Sequence, residues 1–442
     1  MATQQHRRDD AISLSDASAT TASDIGVPDT ISERESNIRS YVRLFPTVFE
    51  TAKGSVLTDH NGREFIDFFC GAGTLNYGHN NDRAKAALLD YISRDGIQHS
   101  LDTATGAKID FLRAFEEKVL APRHMDYKIQ FTGPTGTNAV EAAIKLARKV
   151  TGRSHVIAFT HAYHGHTLGA LALTANSYYH HGSYGAHQNV SRLPFDGYLP
   201  GVDSSAYLAR ILDDKSSGTP LPAAIILETI QGEGGVNVAS ADWLQNITRL
   251  CRQHDIVLIV DDIQVGNGRT GQYFSFEFAG ITPDIVCLSK SLGGGMPIAI
   301  NLIKPALDQW GPGEHTGTFR GNNLAFVAAT ALLTHWDDDF TAGIRQRGQR
   351  IAERLQAIVS RHPTSSISYR GRGMIWGLDV GDGDTARAII DRAFDAGLLM
   401  EASGANDEVL KVMAALTIPE ALLEQGLDIL DAAVDATLSQ ST

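Results

Sequence analysis

The chain has 442 residues, a length that predicts two domains or more. Its 43% hydrophobic and 20% charged residues are typical of a globular protein in water. With 38 Lys and Arg against 51 Asp and Glu, the formal net charge is -13, which argues against nonspecific binding to nucleic acid or to anionic membranes.

The lack of recognisable targeting segments and the low cysteine content indicate a cytoplasmic protein. No apolar run approaches the roughly 20 residues of a membrane span, and the N-terminus has no apolar signal core. The three cysteines, Cys70, Cys251 and Cys287, are sparse, odd in number and set among apolar residues. They predict neither a disulfide framework nor a metal site.

Changes in composition predict four segments. Residues 1–38 are rich in Ser, Thr, Asp and Ala, so we expect a disordered tail. Residues 39–96 are assigned to the N-terminal part of a small domain. Residues 97–325 are assigned to a large α/β domain, and residues 326–442 to the C-terminal part of the small α+β domain.

The middle of the chain alternates between strand-like and helix-like patterns, which indicates a mainly parallel sheet. The apolar runs are short and unbroken by polar residues, as in strands that are buried on both faces. The predicted strands are 156–159, 224–227, 256–260 and 285–288, and the clearest helices are 138–150 and 242–254.

A glycine-containing turn, Gly-Pro-Thr-Gly-Thr at 133–137, precedes the helix that starts near Asn138. The free N–H groups of such a helix start favour an anion, most often a phosphate. It is not a Walker A loop, because no Gly-Lys-Ser/Thr follows. The alternative interpretation is an ordinary cap made by Thr135 or Thr137.

Two ionisable residues follow neighbouring predicted strands. Asp261 ends one strand, and Lys290 comes just after the next, before the glycines at 293–295. Each alone has a simpler interpretation, as a turn former or a surface lysine. Together they match the needs of pyridoxal phosphate, which uses a Lys for a Schiff base and an acid for its ring nitrogen. The glycines predict backbone crowding against a bound group.

Aromatic and histidine residues follow the strand at 156–159. Tyr163 could stack on a flat heterocycle, although most such aromatics are simply core. The histidines cluster without the Cys or carboxylate spacing of a metal site, so we predict no metal. They are His161, His164, His166, His180 and His181.

Several motifs in order resemble the class III, fold-type I, pyridoxal-phosphate-dependent aminotransferases over about residues 40–435. The long signature resembles Leu-Ile-Val-Asp-Asp-Ile-Gln-Val-Gly-Asn-Gly-Arg-Thr-Gly at 258–271, running on to Lys290. A phosphate loop, Tyr-His-Gly, Glu-Thr-Ile-Gln-Gly-Glu-Gly-Gly and Thr-Gly-Thr-Phe-Arg-Gly-Asn also appear in family order. The resemblance implies a fold-type I architecture and a ping-pong transaminase.

The resemblance also implies roles for individual residues. Lys290 would form the Schiff base and shuttle the proton, while Asp261 would pair with the ring nitrogen and Gln264 with the ring hydroxyl. Tyr163 would stack on the ring. The remaining implied cofactor contacts are Thr135, Gly136, Thr137, His164 and, from the neighbouring subunit, Thr318. The role of Thr318 implies a homodimer or a dimer of dimers, with the active site at the interface.

Within the family, the chain most resembles the diaminobutyrate–2-oxoglutarate transaminases, particularly those of ectoine biosynthesis. The implied substrates are glutamate and L-aspartate 4-semialdehyde, and the implied products are L-2,4-diaminobutyrate and 2-oxoglutarate. Lys411 stands where the wider family usually has arginine, which grips a carboxylate differently. Glu233 matches an acidic residue that can pair with that cation, so Glu233 and Lys411 are the predicted substrate-binding residues.

Other functions fit parts of the pattern. A different ω-amino acid transaminase, a racemase or an aminomutase could share the scaffold. A nicotinamide-dependent oxidoreductase is disfavoured, because no Gly-x-Gly-x-x-Gly opens a helix after the first strand. A binding protein that has lost catalysis is disfavoured by the presence of both Lys290 and Asp261.

Overall fold

The computed structural model describes residues 27–185 and 189–439. The α-helices of this part are α1 (Asp29–Arg34), α2 (Tyr41–Leu44), α3 (Cys70–Gly73), α4 (Asp82–Ser93), α5 (Gly106–Phe115), α6 (Gly136–Thr151), α7 (Leu168–Leu173), α8 (Ser204–Asp213), α9 (Ala241–Gln253), α10 (Asn323–Leu333), α11 (Asp338–Arg361), α12 (Gly383–Asp395) and α13 (Glu420–Leu438). A π-helix covers Glu116–Leu120, and 3-10 turns cover Ala121–Arg123, Ser177–Tyr179, Gly182–Tyr184, Glu277–Ala279, Lys290–Gly293 and Pro305–Leu307.

The strands of the described part are β1 (Phe49–Lys53), β2 (Val56–Asp59), β3 (Glu64–Asp67), β4 (Lys128–Phe131), β5 (Val156–Phe159), β6 (Val190–Leu193), β7 (Ala224–Leu227), β8 (Ile230–Gln231), β9 (Asn237–Val238), β10 (Val257–Asp261), β11 (Ile285–Leu288), β12 (Ile300–Ile303), β13 (Ser368–Arg372), β14 (Ile375–Asp379), β15 (Leu398–Leu399), β16 (Glu401–Ser403) and β17 (Val409–Val412). None of the helices within 27–185 and 189–439 is both long and apolar enough to cross a membrane.

The chain divides into a small unit within residues 1–51 and 58–63 and a large unit within residues 52–57 and 64–442. In the small unit, the Asp59 side chain accepts hydrogen bonds from the backbone N–H groups of Asn61 and Arg63 and so closes the turn between them. The predicted tail, residues 1–38, lies mostly outside the described residues; its described end contains α1.

A seven-stranded sheet dominates the large unit, in the order β4-β12-β11-β10-β7-β5-β6. Strands β11, β10, β7, β5 and β6 run parallel, and β12 runs antiparallel to both β11 and β4. Hydrophobic clusters cover both faces of the sheet. Alternate residues of each parallel strand enter opposite clusters, as Leu258 and Ile259 do, which explains why the strand sequences are unbroken apolar runs.

Helix α6 packs on the sheet through an apolar stripe that includes Val140, Ile144 and Ala147. Thr135 precedes it in an extended conformation, and Gly152 ends it in the left-handed region at φ +67. Its N-terminus therefore points toward the edge where β5, β7, β10 and β11 end, since strand, turn and helix follow each other directly.

A second, four-stranded sheet has the order β13-β14-β17-β16, and all its pairs are antiparallel. Helices α10 and α11 are separate, because Asp337 caps a new helix by accepting from the Phe340 N–H. The fold class predicted from the sequence, a large mainly parallel sheet with a smaller α+β part, is confirmed. The domain limits at 96 and 325 stay predictions.

Candidate active site

A cavity of about 290 Å³ lies beyond the carboxyl ends of β5, β7, β10 and β11. This is the edge at which open parallel sheets bind ligands. Eight of the eleven predicted site residues belong to its wall. The lining residues are Gly136, Thr137, Tyr163, His164, Gly165, His166, Glu228, Glu233, Asp261, Ile263, Gln264, Val265 and Lys290.

Asp261 is the last residue of β10, and both of its carboxylate oxygens have partners. One oxygen accepts from the Ile263 N–H at 3.2 Å, and the other lies 2.7 Å from Nδ1 of His164. Because a carboxylate only accepts, Nδ1 carries the proton. Nε2 of the same buried ring has no hydrogen-bond partner among residues 27–185 and 189–439. The imidazole therefore orients the carboxylate.

Lys290 begins a 3-10 turn two residues after β11, with its own backbone in the left-handed region at φ +44. Its Nζ donates to the carbonyl of Ala72 at 2.7 Å. Burial lowers the pKa of the Lys290 ammonium, although the nearby Glu233 carboxylate opposes that effect. A lowered pKa favours the neutral amine, which is the nucleophilic and basic form.

The glycines after Lys290 have a reason within the protein itself, so the predicted crowding against a bound group is not needed to explain them and stays a prediction. A Cβ on Gly293 would lie 2.9 Å from the side chain of Ile298, and a Cβ on Gly294 would lie 2.2 Å from Leu332. The glycines let the turn pack against the protein's own core. Consecutive glycines look the same in the sequence whether they approach a ligand or the protein's own core, so only the structure distinguishes the two.

The predicted phosphate turn opens into the cavity through Gly136 and Thr137. A Cβ on Gly136 would lie 2.9 Å from Ile263, and one on Gly165 would lie 2.4 Å from Oγ1 of Thr137. Thr135 is exposed, and its Oγ1 accepts from the Asn138 side chain rather than capping the helix. Within the described residues, the Asn138 N–H donates to the Thr135 carbonyl, whereas the N–H groups of Gly136 and Thr137 have no acceptor and face an anion site at the cavity.

Tyr163 forms an aromatic wall with His166, whose ring centre is 5.3 Å away. Its backbone N–H donates to Glu228 at 3.0 Å. Burial and the nearby carboxylates raise the pKa of Tyr163 to about 12, so its hydroxyl is neutral at pH 7. Burial and the charge of Asp261 also raise the pKa of Glu228, which favours its protonated form. Glu228 was not predicted, although it follows β7 as Asp261 ends β10.

The predicted pair of Glu233 and Lys411 is present, with 2.8 Å between carboxylate oxygen and Nζ. A second carboxylate, Glu401, lies 2.9 Å from the same Nζ. Gln264 donates to Glu233 at 2.7 Å and to the Ala72 carbonyl at 3.1 Å. Burial would raise the pKa of Glu233, but the charges of Lys411 and Lys290 outweigh it and lower the pKa to about 2.

Thr318 does not line this cavity. It is exposed, and its carbonyl accepts from Nε2 of His99 at 2.7 Å. A residue that acts in a neighbouring subunit need not approach its own cavity, so the role predicted for Thr318 stays a prediction.

The residues of the cavity fit pyridoxal phosphate. Gln264 Oε1 is buried, has no partner in the described part of the chain and could accept from the ring hydroxyl. Asp261 offers a carboxylate to the ring nitrogen, and the α6 N-terminus offers N–H groups to the phosphate. Tyr163 offers a neutral aromatic face, and Lys290 offers its amine. These contacts are those expected of a cofactor with a ring, a phosphate and an aldehyde.

Comparison with known proteins agrees with this chemistry. The model of the aminotransferase class-III family matches residues 38–434. A diaminobutyrate–2-oxoglutarate transaminase of Wolinella succinogenes is 54% identical, over 92% of this chain and 96% of its own. An enzyme of the same name from Oceanobacillus iheyensis is 53% identical, over 92% of this chain and 96% of its own.

Solved structures show the same fold. The ornithine aminotransferase of Toxoplasma gondii superposes with a TM-score of 0.81 at 25% identity and covers 96% of this chain and 97% of its own. An S-selective transaminase from Bacillus megaterium gives a TM-score of 0.82 at 22% identity, over 93% of this chain and 97% of its own. The chain therefore belongs to the class III aminotransferases, which depend on pyridoxal phosphate.

Proposed function

We propose that this enzyme transfers an amino group between glutamate and L-aspartate 4-semialdehyde to give L-2,4-diaminobutyrate and 2-oxoglutarate. Relatives that are 53–54% identical carry the corresponding name. The observation that carries the proposal is the pair of Glu233 and Lys411 in and beside the cavity. A cation with a movable acidic partner suits a site that must accept a dicarboxylate and an amine in turn.

Each residue of the cavity then has a defined task. When bound, pyridoxal phosphate supplies the electron sink that makes the hydrogen on the amine-bearing carbon acidic. Asp261 stabilises positive charge at the ring nitrogen, and His164 holds Asp261 in place. Lys290, with its lowered pKa, takes the proton from the substrate carbon and returns it at the next step. Tyr163 excludes water from one face.

Lys411 lies beside the cavity and would bind the side-chain carboxylate of glutamate after Glu233 turns away. With diaminobutyrate, the remote group is an α-amino acid end that carries an ammonium as well as a carboxylate. Glu233 can accept from that ammonium. The two half-reactions thus use the same pair in two arrangements.

A half-reaction screen tests the substrate. Enzyme in the pyridoxal form is mixed separately with L-2,4-diaminobutyrate, L-glutamate, L-ornithine and β-alanine, and the loss of cofactor absorbance is followed. We expect fast loss with the first two only. Faster loss with ornithine or β-alanine would assign the chain to another ω-amino acid transaminase.

We further propose a homodimer, or a dimer of dimers, in which Thr318 of one subunit contacts the phosphate of the other. The test is complementation between two inactive variants, Lys290→Ala and Thr318→Asp. If Thr318 acts across the interface, mixed dimers contain one intact site and recover up to half of the activity. If it acts within its own subunit, mixing restores nothing.

The pathway and the compartment are also proposals. The resemblance to ectoine-type enzymes supports a role in making the ectoine precursor in the cytoplasm. Deletion of the gene, with ectoine and diaminobutyrate measured at high salt, checks the pathway. Unchanged ectoine would point to another use of diaminobutyrate.

A further inference from the structure

Lys411 is shared by two carboxylates. Its side chain is fully buried, and its Nζ lies 2.8 Å from Glu233 and 2.9 Å from Glu401. A pair would be neutral, whereas this cluster has two acids for one base. The second acid therefore needs an explanation beyond neutralising the lysine.

The two carboxylates differ in how they are placed. Glu401 lies on β16 directly opposite Lys411 on β17, in an antiparallel register that holds both side chains on one face of the sheet. Glu233 comes from the turn after β8 and lines the cavity, while Glu401 does not. Glu401 is thus the fixed partner of Lys411, and Glu233 is the partner that meets substrate.

The ionisable groups of the cluster interact with one another and with Lys290. Burial would lower the pKa of Lys411, but the two carboxylates outweigh it and raise the pKa, so the ammonium stays protonated. Burial raises the pKa of Glu401, while its contact with the ammonium of Lys411 favours the ionised form. Both acids also act on Lys290, and Asp407 adds negative charge near Glu233.

We propose that Glu401 is a specificity-determining residue that keeps the substrate end of the cavity net negative. An ammonium on the remote end of a substrate is then favoured, and a second carboxylate is disfavoured. Diaminobutyrate carries such an ammonium, and glutamate carries the second carboxylate. This inference rests on the proposed function for its choice of substrates.

The test is Glu401→Gln, which removes the charge but keeps the size and an oxygen that can accept from Lys411. The KM for glutamate and the dissociation constant of glutarate, an unreactive dicarboxylate measured by calorimetry, should each fall roughly three- to tenfold. The KM for diaminobutyrate should rise by a similar factor. Glu353→Gln, on the exposed side of α11, is the matched control and should change neither constant.

Opposite changes for the two substrates cannot come from general loosening of the site. If both KM values rise together, or neither changes, the proposal is wrong. A Glu401→Gln variant that fails to fold would also overturn it, since the charge would then serve stability. Glu401→Asp keeps the charge and should keep the wild-type preference; a shift like that of Glu401→Gln would contradict the proposal.

The proposed function can fail separately. If the wild-type enzyme reacts with neither diaminobutyrate nor glutamate, the substrate assignment fails. Glutarate binding still decides the electrostatic argument in that case, because it requires no turnover. Unchanged glutarate affinity in Glu401→Gln would then overturn the role of Glu401 as well.

Discussion

Two groups of charged side chains at the cavity hold their charges in different ways. We call the group around Asp261 the cofactor end and the group around Lys411 the substrate end. At the cofactor end, Asp261 is held by one buried imidazole and one backbone N–H, both at fixed positions. At the substrate end, Lys411 is shared between Glu233 and Glu401, and Glu233 also accepts from Gln264. The first arrangement gives Asp261 one set of fixed partners, whereas the second offers Lys411 two alternative carboxylates, as the proposed function requires.

The difference follows from what each end must do. The cofactor stays bound through both half-reactions, so a rigid carboxylate serves it in each. The substrates alternate, and a group that binds both must change its contacts. Rigidity near the reacting bond and exchange near the substrate are therefore separate requirements. Asp261 on the large sheet serves the first, and Lys411 on the C-terminal sheet, with Glu233 from the turn after β8, serves the second.

The largest effect should come from the cofactor end. Lys290→Ala removes the proton shuttle and should lower kcat by about 10³-fold or more, while bound cofactor is retained through the phosphate contacts. Single-turnover kinetics with glutamate checks this. Lys304→Ala, which removes an ion pair with Asp284 outside the cavity, should leave kcat within about twofold. Full activity in Lys290→Ala would refute its role.

A second pair of substitutions compares the carboxyl end of the parallel strands with their amino end. Asp261→Asn should lower kcat by roughly 10²- to 10³-fold, because the ring nitrogen loses its acidic partner. Asp284→Asn, at the start of β11, should lower the melting temperature but not kcat, since Asp284 binds Lys304 and the Leu258 N–H. Equal losses of kcat in both variants would contradict the claim that only the carboxyl end of the strands takes part in catalysis.

At the substrate end, the expected change is in KM. Lys411→Ala should raise the KM for glutamate by about tenfold or more, because no cation remains for its side-chain carboxylate. It should also lower stability, since two buried acids lose their partner. Steady-state kinetics and thermal unfolding measure both. The pair has no role in binding if the KM values for glutamate and diaminobutyrate are both unchanged.

The smallest effect concerns a buried acid beside the cofactor end. Burial raises the pKa of Asp262 to about 7, although hydrogen bonds from Ser275 stabilise the carboxylate and partly oppose this effect. The protonated form is favoured in the fold, so this stability is complete below about pH 4 and is lost as the pH rises through 7. Asp262→Asn mimics that form and should reduce the fall of the melting temperature between pH 5 and 8 by about 2–5 °C. An unchanged pH profile would contradict this.

The cofactor end was predictable from the sequence for a physical reason. Asp261 and Lys290 follow strands that are apolar on both faces, and the carboxyl ends of neighbouring parallel strands meet at one edge. Glu228 obeys the same rule after β7 and could have been found by it. The glycines at 293–295 could not be interpreted from the sequence alone, because a close approach gives the same pattern whether the neighbour is a ligand or a side chain such as Leu332.

The substrate end could be predicted only in part. Glu233 and Lys411 were predicted through family resemblance, although they are 178 residues apart. Glu401 was missed, since nothing local marks it. It meets Lys411 through the register of β16 and β17, and register depends on the turn between two short strands. The role of Thr318 depends on a second subunit and remains a prediction.

The pairing of β16 and β17 carries one further consequence. Glu401 and Lys411 lie on one short hairpin, residues 401–412, which contains none of the residues that line the cavity. The part of the substrate preference that depends on Glu401 and Lys411 can therefore be exchanged as one contiguous segment, while Glu233 and the large sheet are left as they are.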